Sequence, residues 1–372
     1  MTLLYAFPEP LPLDRARGIQ TVHTVAALAA QGIDVLLAHV PSTGNPFAAY
    51  AVGKPANVRL LPVSRSLPWP LLRVHSNRFF ATRLAKSVDP HDFGAVMVRH
   101  LKAAGLLMER LPGLRFIYEV HEVFADTVAP GRRAETAHLE GFVVGRASAL
   151  VANSQATARR LGELYRAVTP IEVIPNGVDY PEAVPPRDWS RARNSVIYSG
   201  SFFGWKGVED LVAAAGHLPG FRIRLLGGDA AGVARMRAAA SSAGARLDFA
   251  GRIPHHQVAG ELMRACIAVL PNRADPESAF TSPIKLFEYM AAGCALVVSD
   301  LPALREVLDP EDALWVAPGD PAGLADAIRA LAGDPDRARR LGARVREKAR
   351  LYTWTARGER LAHIVRPLLG PK

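Results

Sequence analysis

The chain has 372 residues, 49% of them hydrophobic and 22% charged; that length suits about two domains, and that composition excludes a chain disordered throughout. A net charge of +10 suits an anionic partner (phosphorylated ligand, acidic membrane or nucleic acid) but serves equally well for solubility alone. The opening MTLLYAFPEP lacks the basic and long apolar segments of a signal peptide. No apolar run approaches the roughly 18–20 residues of a spanning helix. The expectation is a cytoplasmic protein with at most peripheral membrane contact.

In chain order, candidate strands are Thr2–Phe7, Ile33–Val40, Val58–Val63, Gly94–Arg99, Arg115–Glu119, Ala149–Asn153 and Glu172–Pro175. Helical patterns such as Ile19–Gln31 and Leu101–Leu111 lie between them. Such alternation predicts a parallel sheet covered on both faces. Residues 180–194, YPEAVPPRDWSRARN, are rich in Pro and charge and read as an interdomain linker. The alternation then restarts with Val196–Gly200, Arg222–Gly227, Arg246–Ala250, Ile267–Pro271, Ala295–Ser299 and Ala313–Val316. Helices are expected at Pro321–Ala332, Pro335–Leu351 and Trp354–Leu368, with Asp334 and Thr353 as N-caps of the last two. The fold class is α/β, with two Rossmann-like doubly wound domains over residues 1–180 and 195–352. Cys266 and Cys294 fall in apolar runs and are expected as buried free thiols.

Open α/β sheets bind ligands beyond the carboxyl ends of their strands, so the chemistry is sought in those turns. In Tyr198-Ser-Gly-Ser-Phe-Phe-Gly-Trp-Lys206-Gly207 a strand runs into a glycine-containing loop, a lysine and a helix. Gly200 and Ser201 allow close approach of a ligand, and Lys206 adds a point charge for a diphosphate. An exposed lysine on an ordinary turn is the bland alternative. The second segment is Thr281-Ser282-Pro283-Ile284-Lys285-Leu286-Phe287-Glu288-Tyr289-Met290-Ala291-Ala292-Gly293. Ser282 suits the N-cap, Pro283 the first turn and Gly293 the stop. Ile284, Phe287 and Ala291 share the buried face. Lys285 and Glu288 form either a solvent i,i+3 pair or part of a site: phosphate at the helix start, a ribose diol at Glu288.

Glu119 and His121, in Tyr118-Glu119-Val120-His121-Glu122, share one face at a strand end. Asn176-Gly177-Val178-Asp179 reads as a structural turn. Gly18, in Arg17-Gly-Ile-Gln-Thr21, admits a phosphate or is simply where a loop meets a helix. Asp334-Pro335-Asp336 is explained by capping. His255-His256 lacks a matching ligand cluster, and no protein-bound metal is expected.

Taken together and in order, these segments resemble the family-4 retaining glycosyltransferases of the GT-B fold, in the branch with a Ser-Pro-x-Lys-x-Phe-Glu-Tyr donor motif. Val151-Ala-Asn-Ser154 adds to the likeness. The resemblance implies two Rossmann-like domains facing across a cleft, the second holding a UDP- or GDP-sugar and the final helices crossing back to the first. It implies Lys206 on the diphosphate, Glu288 on the ribose and backbone around Ser282–Lys285 on phosphate or sugar. Ile253 falls at the base, and His121 on the acceptor side near the anomeric centre. His121, Lys206 and Glu288 are thus the expected catalytic set, acting on a nucleotide sugar as co-substrate without cofactor or metal. Two departures stand out. Phe280 occupies a position that is often acidic, eight before Glu288, and Ser201 one that is often Arg, leaving only Lys206 and helix dipoles at that loop.

Residues 59–102 hold Arg59, Arg65, Arg73, Arg78, Arg83, Lys86, Arg99 and Lys102 against Asp89 and Asp92, a net of +6, with Trp69, Phe79 and Phe80 interspersed. This stretch reads either as an anionic-membrane surface, favouring a lipid-linked acceptor, or as a solvated helix face. Competing functions are a nucleotide-sugar epimerase or phosphorylase on the same fold and a catalytically silent nucleotide-sugar-binding protein. Nucleic-acid binding has only the charge in its favour.

Overall fold

The computed structural model describes residues 1–13, 15–67, 75–240, 244–275, 282 and 284–370. The chain divides into two compact units, Met1–Gly177 with Trp354–Lys372, and Val178–Thr353.

The first unit has a parallel sheet of β1 (Thr2–Leu11), β2 (Val35–Pro41), β3 (Val58–Pro62), β4 (Phe93–Val98), β5 (Arg115–Val120), β6 (Ala149–Ala152) and β7 (Ile171–Val173), in the order β3-β2-β1-β4-β5-β6-β7. β1 runs past its expected end at Phe7 because a register shift between Phe7 and Pro10 lets Pro10 and Leu11 still pair with Val40 and Pro41. On one face, helix Ala16–Ala30 brings Val22, Val25 and Leu28, and helix Trp354–Leu369 brings Leu361, Ala362 and Val365, onto Leu3, Tyr5 and Phe7. The last helix therefore completes the core of the first sheet.

The second unit has β8 (Ser195–Ser199), β9 (Arg222–Leu226), β10 (Arg246–Gly251), β11 (Ile267–Leu270), β12 (Ala295–Ser299) and β13 (Leu314–Val316), ordered β10-β9-β8-β11-β12-β13 and parallel throughout. Successive side chains of one strand enter opposite cores: Val196 and Tyr198 of β8 join one, Ile197 the other. β11 and β12 alternate in the same way, Val269 and Val297 against Leu270 and Val298. A strand buried on both faces needs apolar residues at every position, which is why these segments read as continuous apolar runs. Asp334 caps helix Pro335–Ala349 by accepting from Arg337 N. Cys266 and Cys294 are free and buried.

Two sequence expectations need correction. The 180–194 segment is not a free linker. Arg187 donates to the carbonyls of Met263, Ala292 and Gly293 at 3.2, 3.0 and 2.6 Å. Those carbonyls close helices His255–Met263 and Ile284–Ala291, whose ends lack intrahelical partners and favour a cation. One guanidinium thus fastens the segment to the second unit, and composition alone could not show it. Nor is the 59–102 stretch uniformly a surface. Phe80 is in the core, and Arg99 is an interior group whose Nη1 donates to Gln20 Oε1 at 2.8 Å. Arg59, Arg78, Lys86 and Lys102 are exposed; Trp69 and Arg73 lie outside the described residues. No described helix is long and apolar enough to cross a membrane.

Replacing Arg187 by Ala strands carbonyls at two helix ends, so we expect a loss of about 1–3 kcal/mol in urea unfolding and faster proteolysis within residues 181–194. Arg187→Lys should rescue little, because an ammonium cannot span both ends in the guanidinium's planar fork. Unchanged unfolding and proteolysis would show that the segment is held otherwise.

Candidate active site

In the second sheet the strand order reverses between β8 and β11, and such a switch point opens a crevice at the carboxyl edge. β8 delivers the Gly200–Gly207 loop there. The hydroxyl of buried Tyr289, on helix Ile284–Ala291, accepts from Ser199 N at 2.7 Å and lies 3.3 Å from Ser199 O. This bond seats the helix start against the end of β8. Lys285 then lies across Gly200 so closely that a Cβ there would stand 2.4 Å from Nζ and 2.8 Å from the Tyr198 hydroxyl. Burial lowers the Lys285 pKa, with the charge of Glu288 opposing. A desolvated ammonium over bare backbone at a strand end suits an anion that restores its charge environment.

Lys206 is buried on the same loop, its Nζ 3.4 Å from the centre of the Trp205 ring. The loop is anchored at both ends. Tyr198 Oη donates to Ser201 O at 2.8 Å, and Arg273 N, beyond β11, donates to Trp205 O at 2.9 Å. Arg273 in turn grips Asp210 through Nε and Nη2 at 2.8 and 2.6 Å. Gly207, at φ +64°, meets the Pro271 carbonyl where a Cβ would be 1.8 Å from the oxygen, so only glycine closes this turn.

Glu288, one turn beyond Lys285, accepts from His255: Nε2 to Oε1 is 2.7 Å. The Glu288 bond holds the His255 pKa above its usual value against the opposing effect of burial, and the Asp179 carboxylate adds to it. Ile253 is partly buried against the core beneath helices His255–Met263 and Ile284–Ala291. Ser282 is buried just ahead of the latter helix, and Ile284, its first residue, is buried too. Pro283, Phe280 and the cap geometry expected of Ser282-Pro283 lie outside the described residues.

In the first unit the carboxyl end of β5 carries a buried polar cluster. Glu119 accepts from Tyr5 Oη at 3.1 Å, from Gln20 Nε2 at 2.7 Å, and from the Arg357 guanidinium of the last helix. Arg357 also donates to the carbonyls of Ile174 and Pro175 at 2.8 and 2.7 Å. Burial alone would raise the Glu119 carboxyl; Arg357 and His121 hold it well below the usual carboxylate range. His121 Nε2 lies 3.0 Å from Glu119 Oε1, off the line of a good hydrogen bond. Burial and the charge of Arg99 press the His121 pKa down to about 4 despite the carboxylate. The ring is neutral at pH 7, and the adjacent carboxylate favours the tautomer with its proton on Nε2. Gly18 has a packing explanation: a Cβ there would stand 2.4 Å from the Tyr50 hydroxyl and 2.6 Å from Leu13 O.

The structure therefore joins Lys285 to Gly200 and Ser201 to the Tyr198 anchor, within the second unit. Gly18 and His121 belong to the first. Sequence reasoning missed Tyr289 as an anchor, although it lies inside the quoted motif, and dismissed His255, whose partner is distant in sequence. It also left Lys206 as the only cation at the Gly200 loop; the Lys285 ammonium is a second. Among the described residues no group of three or more His, Cys, Asp or Glu could hold a metal ion.

Known proteins share the sequence and the fold of both units. Residues 18–180 match the family described as Glycosyltransferase Family 4, and residues 193–334 the family described as Glycosyl transferases group 1. The chain is a glycosyltransferase, a family-4 domain followed by a group-1 domain. It is 26% identical over 412 residues to a glycogen synthase of Mycobacterium tuberculosis, covering 96% of this chain and 95% of that protein. It is 28% identical over 330 residues to a GDP-mannose-dependent alpha-(1-6)-phosphatidylinositol dimannoside mannosyltransferase of the same species, covering 85% and 77%. Its fold matches that of sucrose-phosphate synthase from Thermosynechococcus elongatus with a TM-score of 0.78 at 21% identity, over 99% of both chains. The two parallel-sheet units are thus those of the GT-B architecture.

Two outcomes follow from this geometry. Gly200→Ala displaces the Lys285 ammonium, so affinity for a nucleoside diphosphate should fall about tenfold or more by calorimetry; unchanged affinity would detach Lys285 from the ligand. Acid should weaken the first unit in two windows. The unfolded chain takes up the His121 proton near pH 6.5, whereas the folded chain waits until about 4, so stability falls as pH drops through that interval. It falls again below about pH 4.3, where the unfolded Glu119 carboxyl protonates before the folded one. His39 and His100, which burial also pushes down, add to the first window, so urea unfolding of His121→Gln should shrink the first component and keep the second; identical pH profiles would refute the His121 assignment.

Proposed function

We propose that the chain moves a hexose-type sugar from a UDP- or GDP-sugar to an acceptor hydroxyl, with retention of configuration and without metal. The observation that carries this reading is the Lys285 ammonium packed on the Gly200 backbone at the switch point of the second sheet. Departure of a nucleoside diphosphate concentrates negative charge on its phosphate oxygens, and preorganised donors lower that barrier. Lys206 and Lys285 supply two ammonium groups for it. The helix start after Ser282-Pro283 supplies backbone N–H groups, which face such anions favourably. Lys285 takes over the charge that the family's frequent Arg would provide at Ser201.

Glu288 is the ribose acceptor of hydrogen bonds, and Ile253 offers an apolar surface to the base. As the sugar becomes oxocarbenium-like, the acceptor hydroxyl attacks from the face the leaving group vacates, so no enzyme nucleophile is required. His121, neutral beside Glu119, accepts a hydrogen bond from a hydroxyl of the sugar or acceptor rather than acting as an acid. No cofactor beyond the nucleotide sugar takes part. The two Mycobacterium tuberculosis relatives are named for polysaccharide and lipid-linked products, and assembly of such a polymer or glycolipid is the setting proposed. The exposed cations Arg59, Arg78, Lys86 and Lys102 suit peripheral contact with an anionic cytoplasmic membrane face, where a lipid-linked acceptor would reside.

Screening UDP- and GDP-sugars by thermal shift identifies the donor, since a ligand bound only by the native state raises its melting temperature. With that donor, Lys206→Ala and Lys285→Ala should each lower kcat at least about 100-fold, the effect of losing one preorganised oxyanion donor, with the melting temperature little changed. Near-normal rates for both would overturn the diphosphate assignment.

A further inference from the structure

We propose that His255 is a positioning residue that fixes the Glu288 carboxylate for the ribose of the donor nucleotide. The inference rests on the ribose reading of Glu288 and adds a residue that no sequence motif marks.

A glutamate side chain has three rotatable bonds, and ordering it when a ligand arrives costs rotamer freedom. Here the ordering is already done. His255 opens helix His255–Met263, immediately after the turn that follows β10, and Glu288 lies one turn into helix Ile284–Ala291. Val258 and Leu262 of the first helix pack in one core with Leu286, Phe287 and Met290 of the second. Both backbones are therefore fixed before the side chains meet.

Across that packed pair, His255 Nε2 lies 2.7 Å from Glu288 Oε1, with both side chains only partly exposed, at 23% and 14%. The distance is that of a charge-assisted bond. The Asp179 carboxylate also acts on His255, and with Glu288 favours its protonated form against burial. A carboxylate has about four lone-pair sites. His255 occupies one on Oε1, and the remaining ones are left in a set direction to accept hydroxyls. A cis-diol needs two acceptors held at fixed spacing, which a pinned carboxylate provides and a rotating one does not. The substrate feature recognised is thus the ribose 2′-hydroxyl together with its neighbour.

The test measures affinities of UDP, GDP and their 2′-deoxy counterparts by calorimetry, for the wild type, His255→Ala, His255→Gln and Glu288→Gln. The wild type should prefer the ribonucleotide. His255→Ala should lose about tenfold in ribonucleotide affinity, the effect of one charged hydrogen bond, and under about twofold for the deoxynucleotide, so that the preference shrinks. His255→Gln, which keeps an N–H donor, should recover at least half of the preference. A merely structural role would weaken both nucleotides equally, and that result, or an unchanged preference in His255→Ala, overturns the proposal. Glu288→Gln separates the two readings. If it keeps the ribose preference, the ribose assignment of Glu288 fails. If it loses the preference while His255→Ala keeps it, only His255 is wrong. Should His255→Ala melt early, the Gln variant decides alone, because a Gln variant that has lost the preference contradicts the proposal.

Discussion

The hydroxyl of Tyr289 is the constraint on which the second unit's site depends. It meets the backbone of Ser199, the last residue of β8, beyond the register that β8 shares with β11. Because Tyr289 lies within helix Ile284–Ala291, that bond sets how far along the sheet edge the helix begins. Lys285, four residues earlier, is thereby carried across Gly200, and Glu288 faces His255. A lysine held in this way cannot retain a full water shell, so its charge is available to an anion without first shedding solvent. The proposed donor site is built from the ends of strands and helices; its loop Gly200–Gly207 is tied down by Tyr198, by Arg273 and by contact with Pro271.

The first unit has its own fixed point in the Glu119–Arg357 pair. Both side chains are nearly inaccessible, at 2% each, and a buried ion pair of this kind is stable only when its other hydrogen-bonding positions are filled. Tyr5, Gln20, Thr24 and the Ile174 and Pro175 carbonyls fill them. The cation comes from the final helix, so that helix contributes to the electrostatics around His121 as well as to the core. Burial and the charge of Arg99 leave His121 neutral despite the Glu119 carboxylate, which fits hydrogen-bond acceptance better than proton donation.

The sheets were legible in the sequence because burial on both faces makes each strand an apolar run, and the turns between runs are punctuated by Gly, Pro and Asn. Chain segments such as Ala295–Ser299 match their expected bounds for that reason. The motif loops were legible too, since Gly207 and Gly293 take the positive φ that their turn and helix-stop positions need. What stayed hidden depends on long-range pairing. His255 meets Glu288 across 33 residues and Arg357 meets Glu119 across 238; neither partner leaves a local pattern. Arg99 and Arg187 look alike in a count of charges, yet one is an interior ligand of Gln20 and the other fastens two helix ends. Counting cations therefore overstated the basic surface of residues 59–102, and composition mistook a docked segment for a tether.

The central claim is that the carboxyl edge of the second sheet holds a nucleoside diphosphate. The most direct measurement is a crystal structure of the protein with bound UDP or GDP. The account predicts phosphate oxygens within hydrogen-bond distance of the Lys206 and Lys285 ammonium groups, with the ribose hydroxyls on Glu288. A nucleotide bound away from β8 and β11, or a diphosphate touching neither lysine, would contradict it.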